Sequence, residues 1–396
     1  MTALFPHPDI SAAAMVARPL RLGFLCPHNP LDPRAFSGTA FFAARALAAR
    51  ADVSLRILGP WQAPTGLGRI AEAAAWRLGR RPRRPCVDVD GLDLQGLDAI
   101  VGLVATPLLD TLSGRSDLPF LHVTDATPAF LRETYGRDVT PEDEAAEAWV
   151  AARSAATVYS SHYMAARAEA DLGVAAGRRA CVLPFGVNLD AAPSRHRRAP
   201  CETGPAPELL FVCSDWVRKG GQIALDALAQ LRARGIDAHL TIVGRVPPHV
   251  AGLSGVRVAG YLDKRRPSQA RRLADLYDRA DLMILPTRAD CTPMVVAEAL
   301  ARGTPVLATD TGGMATLLGR DGACGGLVAQ GDDGGDWARH IAALLDRPDR
   351  LAVMRRRART RTREVLNWDA WAEGIAALAR EAIADVPRGK REARAA

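Results

Sequence analysis

The chain has 396 residues, of which 48% are hydrophobic and 24% charged, a balance typical of a globular enzyme and not of a disordered or fibrous protein. This length exceeds one typical domain, so two or three domains are expected. No apolar run is long enough to span a bilayer, and residues 10–17 lack the preceding basic residue of a secretory signal. We therefore expect a cytoplasmic protein.

The cysteines and the basic residues exclude fewer kinds of site and binding partner. Seven cysteines are scattered without a C-x-x-C pair, which argues against a disulfide framework or a zinc site. The densest basic stretches, residues 80–84 and 355–363, lack the interleaved aromatics that stack on bases. With a net charge of +7, we interpret both as solvated faces. Peripheral contact with an anionic membrane or acceptor is the main alternative, and nucleic acid is the weakest.

The first half of the chain alternates short apolar runs with segments of helical period. Strands are predicted at residues 20–26, 53–58, 99–104, 120–123 and 157–160. Helices are predicted at 39–50 and 142–156. Alternating strands and helices indicate a parallel sheet that is covered on both faces.

A stretch without period, rich in Pro, Ala and charge, separates this half from a second one of the same kind. Strands are predicted there at 209–213, 239–243, 256–259, 282–286 and 305–308, and helices at 222–234, 268–278, 293–302 and 369–384. The predicted organisation is a flexible tail (1–18), a first domain (19–190), a linker (191–207), a second domain (208–366), a helix that packs back on the first domain (367–388) and a tail (389–396). Two such halves place a ligand in the cleft between them.

The strand predicted at 282–286 leads to a helix start of chemical interest. Thr292 is predicted as its N-cap, with Pro293 at the first helical position. The amides of Met294 and Val295 would then face outward. A helix start with exposed N–H groups attracts phosphate through hydrogen bonds and through the helix dipole.

Two acidic and two basic residues lie near positions of the second half where a predicted strand leads into a helix. Glu298 lies about one and a half turns into the helix, where a carboxylate can accept from ribose hydroxyls. Asp290 lies eight residues earlier, before the helix. In the segment 209–221, a strand runs into Arg218 and Lys219, which suit a diphosphate. Solvated carboxylates and an ordinary basic surface turn are the alternative interpretations.

Two loops of the first half follow predicted strands, and we expect both to face the same cleft. Gly38 closes the first loop, and its missing side chain lets the backbone approach a ligand. The loop has no G-x-G-x-x-G pattern, so a nicotinamide cofactor is not indicated. After the fourth strand, Asp125 is a cleft candidate, whereas His122 fits a ligand or a core residue equally well.

With these motifs in view, the chain resembles the retaining glycosyltransferases of family 4. Those enzymes have the GT-B architecture: two Rossmann-like, doubly wound parallel-sheet domains of α/β class that face each other across a cleft. The resemblance is carried by LPFGVN at 183–188, SDWVRKGG at 214–221, IVG at 242–244, GYL at 260–262 and ADCTPMVVAEALARGTPVLATDTGG at 289–313.

The resemblance implies roles for the residues of the second half. In the family, two acids separated by seven residues bind the donor, which implies Glu298 on the ribose and Asp290, where glutamate is usual, on the donor sugar. Lys219 matches the lysine on the donor diphosphate, with Arg218 beside it. Many members carry an arginine where this chain has Cys213.

Further residues follow from the same resemblance. Gly38 falls where members bring a glycine loop onto the diphosphate, and Asp125 falls near a histidine that lies close to the reacting sugar carbon. Tyr261 and Leu262 resemble the segment that borders the nucleotide base.

The implied reaction moves a hexose-type sugar from a nucleotide sugar to a hydroxyl acceptor with retention of configuration, in the synthesis of a polysaccharide, glycolipid or other glycoconjugate. Arg218, Lys219 and the helix amides would stabilise the leaving diphosphate, so neither a metal nor a cofactor is expected. A nucleotide-sugar-binding protein that has lost catalysis is the main alternative, ahead of a phosphorylase or epimerase of the same fold.

Overall fold

The structure is a computed structural model that describes residues 18–59, 89, 91–173, 179–190, 206–319 and 322–387. The predicted tails, the predicted linker and the basic stretch at 80–84 lie outside the described residues, apart from residues 18, 206 and 207. None of the described helices is long and apolar enough to cross a membrane.

Six parallel strands form the first sheet, in the order β2-β1-β3-β4-β5-β6. They are β1 (Leu20–Leu25), β2 (Val53–Leu58), β3 (Ala99–Leu103), β4 (Phe120–Thr124), β5 (Ala156–Tyr159) and β6 (Ala180–Val182). The helices between them are α1 (Thr39–Ala48), α2 (Thr106–Ser113), α3 (Pro128–Tyr135), α4 (Pro141–Arg153) and α5 (His162–Leu172).

The second sheet also has six parallel strands, in the order β12-β11-β10-β7-β8-β9. They are β7 (Glu208–Cys213), β8 (His239–Gly244), β9 (Val256–Gly260), β10 (Leu282–Leu285), β11 (Val306–Thr309) and β12 (Gly325–Val328). The helices are α6 (Gly221–Ala233), α7 (Pro267–Arg279), α8 (Met294–Arg302), α9 (Met314–Leu318), α10 (Gly334–Leu345), α11 (Pro348–Glu364) and α12 (Trp368–Ala384).

The central strands are buried on both faces, which explains why they appear in the sequence as continuous apolar runs. Every residue of β3, β10 and β11 is buried. Strand order in the second sheet reverses at β7, whose neighbours are β8 on one side and β10 on the other. Loops after β7 and β10 therefore diverge at a switch point, where open α/β sheets bind ligands.

The last helix returns to the first domain. Helix α12 packs on α1, and the Trp368 ring stacks on Phe185 at 5.7 Å between ring centres. Arg380 also donates to the carboxylate of Asp52 at 2.6 Å. These contacts hold helix α12 against the first domain.

The interpretation of residues 355–363 as a solvated face is wrong in part. These residues lie in α11, and the Arg355 guanidinium donates to the main-chain oxygens of Ala280 and Asp281 at 3.1 and 3.2 Å. Arg361 donates to the main-chain oxygen of Leu317 at 2.6 Å. Guanidinium groups carry five N–H donors, and here they satisfy carbonyls at the ends of other elements.

Candidate functional site

The loops at the carboxyl ends of the two sheets contact each other directly. Ser160, after β5, shares a hydrogen bond with Thr292 of the second domain at 2.7 Å between the hydroxyl oxygens. The main-chain N–H of His162 donates to the Thr316 hydroxyl at 3.1 Å. The candidate residues from both halves therefore meet in one cleft.

The loop after β7 brings Lys219 and Arg218 onto Asp290. The Lys219 ammonium donates to the Asp290 carboxylate, and each residue is only 6% exposed. Arg218 donates to the same carboxylate at 3.3 Å and to the main-chain oxygen of Ala289 at 2.7 Å. Arg218 Nε also lies 3.5 Å from the Asp215 carboxylate. The loop after β7 thus places two cations side by side, which suits an anionic ligand.

Gly220 permits this arrangement. Its φ of +75° lies in the left-handed region, and an added Cβ would lie 1.9 Å from the main-chain oxygen of Pro286 at the end of β10. A side chain would thus force the loop away from β10. The glycine keeps the two cations next to the loop that carries Asp290.

Tyr135 is a cleft residue that the sequence analysis missed. At the end of α3, its hydroxyl accepts from the main-chain N–H of Cys291 at 2.9 Å, and its ring lies 5.2 Å from the Arg218 guanidinium carbon. Burial, then the nearby Cys291 and Asp290, raises the pKa of the Tyr135 phenol. The Tyr135 hydroxyl therefore stays protonated. The Tyr135 side chain, which belongs to the first domain, covers the cation cluster of the second domain.

Asp125 follows β4 and is half-buried in the cleft. Burial, followed by the charge of Asp290 across the cleft, raises the pKa of Asp125 to about 6.

His122 does not reach the cleft. It is 0% exposed and its Nε2 lies 2.9 Å from Glu147 Oε1 on α4, so of the two interpretations left open the core one is right. Successive strand residues face opposite sides of the sheet, and His122 faces α4.

Glu298 lies on α8 and is 2% exposed. Its Oε1 accepts from the Lys264 ammonium at 2.6 Å, and its Oε2 accepts from the Tyr277 hydroxyl at 3.2 Å. Lys264 also donates to the main-chain oxygen of Asn188 at 3.2 Å. Lys264 and Tyr277 are further residues that no local sequence pattern indicated. Asn188 ends the LPFGVN motif at 183–188, but the sequence assigned it no role.

Helix α8 begins one residue later than predicted. Pro293 occupies the N-cap position without a side-chain cap, and the helix starts at Met294. The prediction of Thr292 as N-cap is therefore wrong, because its hydroxyl bonds to Ser160 instead. The main-chain N–H of Val296 donates to the Pro293 oxygen at 2.9 Å, so the helical bonding begins after Met294 and Val295.

The remaining predicted residues differ in backbone conformation and exposure. Gly38 closes a turn in which Phe36, Ser37 and Gly38 all have positive φ, of 51°, 57° and 92°. Tyr261 is 60% exposed after β9, whereas Leu262 is buried. Among the described residues, no group of three or more His, Cys, Asp or Glu side chains could hold a metal ion.

Comparison with known proteins identifies the second domain. Residues 206–347 match the family model described as glycosyl transferases group 1. The second domain belongs to that family. A D-inositol 3-phosphate glycosyltransferase of Catenulispora acidiphila is 37% identical to the chain over 196 residues, covering 46% of this chain and 45% of that protein. One from Nocardia farcinica is 33% identical over 208 residues, covering 49% and 46%.

The chain thus spans about half the length of the curated relatives that it matches. Solved structures cover nearly all of it. A sucrose-phosphate synthase from Thermosynechococcus elongatus has a TM-score of 0.66 at 18% identity, covering 93% of this chain and 100% of that one. An Anabaena protein solved with UDP and glucose has a TM-score of 0.57 at 15% identity, covering 90% and 98%. These matches and the two parallel sheets confirm the GT-B fold.

Proposed function

We propose that this group 1 protein transfers a sugar from a nucleoside diphosphate donor to a hydroxyl acceptor. The observation that carries the proposal is the cluster of the buried Lys219 and Asp290 with the partly buried Arg218. It lies at the switch point of a group 1 domain together with the buried carboxylate of Glu298. Glu298 binds the ribose, and the two cations bind the diphosphate. Tyr261 and Leu262 border the base.

Transfer proceeds with retention and without a metal ion. The incoming diphosphate takes the place of the Asp290 carboxylate beside Lys219 and Arg218, and the freed carboxylate accepts from a hydroxyl of the donor sugar. As the sugar leaves, negative charge develops on the phosphate oxygen, where the two cations and the amides of Met294 and Val295 stabilise it. That oxygen then takes the acceptor's proton.

Two residues of the first domain complete the site. Gly38 brings main chain onto the diphosphate, and Asp125 faces the reacting carbon of the sugar. Because the relatives are named D-inositol 3-phosphate glycosyltransferases and one fold neighbour was solved with UDP and glucose, UDP-glucose and a polyol phosphate are the first donor and acceptor to test.

The test is thermal unfolding of the purified protein with UDP, GDP, ADP and their common sugar derivatives, with and without EDTA. A ligand that binds the folded state raises its stability. We expect one nucleotide to raise the Tm, with no effect of EDTA, and the rise to be lost in Lys219→Ala and Glu298→Gln. Arg350→Ala, exposed on α11, is the matched control and should respond as the parent does. No rise with any nucleotide refutes the proposal.

A nucleotide-sugar-binding protein without transferase activity is the second candidate. It is favoured by one observation, the aspartate at position 290, which lies on Lys219 in place of the family's usual glutamate. Release of nucleoside diphosphate in the presence of an acceptor excludes this candidate. Proton NMR of the product then reports whether the anomeric configuration is retained.

A further inference from the structure

We propose that Lys264 and Asn188 form a relay between the ribose-binding carboxylate of Glu298 and the glycine turn of the first domain. The relay makes the ribose contact and the diphosphate contact depend on each other. It rests on the proposed function, because Glu298 binds ribose and the turn at Ser37 and Gly38 faces diphosphate only in that proposal. Lys264 is in this view a positioning residue.

The first link is the ion pair of Lys264 with Glu298. A carboxylate that is 2% exposed needs a compensating charge, and Lys264 Nζ supplies it at 2.6 Å. Tyr277 donates to the other oxygen, so both oxygens of Glu298 are held in place. Each oxygen has further lone-pair capacity, and this is what a pair of ribose hydroxyls requires.

The second link is Asn188, which is 0% exposed and lies at the end of the described part of the first domain. Its main-chain oxygen accepts from Lys264, and its side-chain oxygen accepts from the indole N–H of Trp368 at 3.0 Å. Trp368 begins the helix by which the chain returns to the first domain. Asn188 therefore contacts Trp368, where the chain returns to the first domain, and Lys264 of the second domain.

The third link is the glycine turn. The amide nitrogen of the Asn188 side chain donates to the Ser37 main-chain oxygen and to the Thr39 hydroxyl, both at 3.1 Å. Phe36 and Ser37 have positive φ, which side-chain-bearing residues adopt only where the surroundings hold them. Asn188 is one such restraint, so a shift of Asn188 or Lys264 changes the position of the turn.

The first experiment separates positioning from mere charge. Calorimetry measures the Kd of the nucleoside diphosphate that stabilises the protein, among UDP, GDP and ADP, and of its 2′-deoxy counterpart. Lys264→Met should weaken the ribonucleotide about tenfold, and the deoxynucleotide by less, because a misaligned Glu298 loses mainly the hydroxyl contacts. Lys264→Arg should restore the preference for ribose. Arg266→Met removes a positive charge from the same loop and should bind as the parent does.

The second experiment tests the coupling between domains. Thr39→Val removes the hydroxyl that accepts from Asn188 but has no contact with Lys264, and Thr39→Ser is its conservative control. Residues in one network show non-additive effects, whereas independent residues show additive ones. If each single variant weakens binding about fivefold, the combination of Lys264→Met and Thr39→Val should weaken it well under 25-fold.

The outcomes distinguish the relay from the proposed function. If the parent protein binds none of the three nucleotides, the proposed function fails. If the parent binds and Glu298→Gln does not, but Lys264→Met binds like Arg266→Met, the relay is overturned and the donor site stands. Losses that multiply in the double variant overturn the link to the glycine turn. Thermal unfolding of each variant without ligand verifies that it is folded.

Discussion

Asp290→Asn should weaken the fold and tighten diphosphate binding at the same time. The Asp290 carboxylate lies between Lys219 and Arg218 and is 6% exposed. In the ligand-free protein it pairs with the buried Lys219 and with the partly buried Arg218. In the complex, the same charge would lie close to a diphosphate and repel it. The substitution should therefore lower the free energy of unfolding and raise the affinity for the diphosphate.

The first magnitude follows from the burial of the ion pair, and the second from Coulomb's law at an assumed separation. Removing one partner of a buried ion pair costs about 3–5 kcal/mol of unfolding free energy, and the asparagine oxygen still accepts a hydrogen bond, so we expect about 3 kcal/mol. A carboxylate at about 6 Å from a phosphate repels it by about 3 kcal/mol per unit charge at an effective dielectric constant of about 20. Removal of that repulsion, reduced by salt screening, should raise affinity at least about tenfold.

Urea unfolding measures the first quantity, and calorimetry with the stabilising nucleoside diphosphate measures the second. Asp290→Glu keeps the charge and is the control, which should show neither gain in affinity nor a loss of that size in stability. If Asp290→Asn binds the nucleoside diphosphate no more tightly than the parent, the carboxylate does not oppose the ligand at Lys219. Competition between Asp290 and the diphosphate for the two cations is then refuted.

Three further predictions concern the cleft and its loops. Because burial raises the pKa of Asp125 to about 6, the parent should lose stability as the pH rises from about 4 through 6, whereas Asp125→Asn should not; urea unfolding at pH 4.5 and 7.5 tests this. Tyr135→Phe removes the acceptor of the Cys291 amide and should lower the unfolding free energy by about 1 kcal/mol, and an unchanged urea midpoint would contradict this contact. Gly220→Ala should lower the Tm far more than Gly235→Ala, since both glycines have positive φ but only the first has a main-chain oxygen in the path of the new Cβ; equal losses would show that the steric contact is unimportant.

Much of the fold could be predicted from local patterns. Short apolar or alternating runs mark the strands, so the edge strand β2 was predicted with its observed ends and the fully buried β10 to within a residue. Short elements were missed, among them α3 and β12, because a few residues carry too little periodicity. The motif residues Lys219, Asp290 and Glu298 were identified, and their roles stay predictions.

The sequence by itself thus determined the two alternating halves and the positions where ligand-binding loops follow strands, because these depend on periods of a few residues. The GT-B fold was expected from the resemblance of the motifs to a known family. Only the tertiary structure decided which side chains meet. His122 faces Glu147 in the core, Tyr135 reaches across to Cys291, and Lys264 connects Glu298 with Asn188. Such partners are distant along the chain and come together through the packing of two sheets, which no local pattern contains.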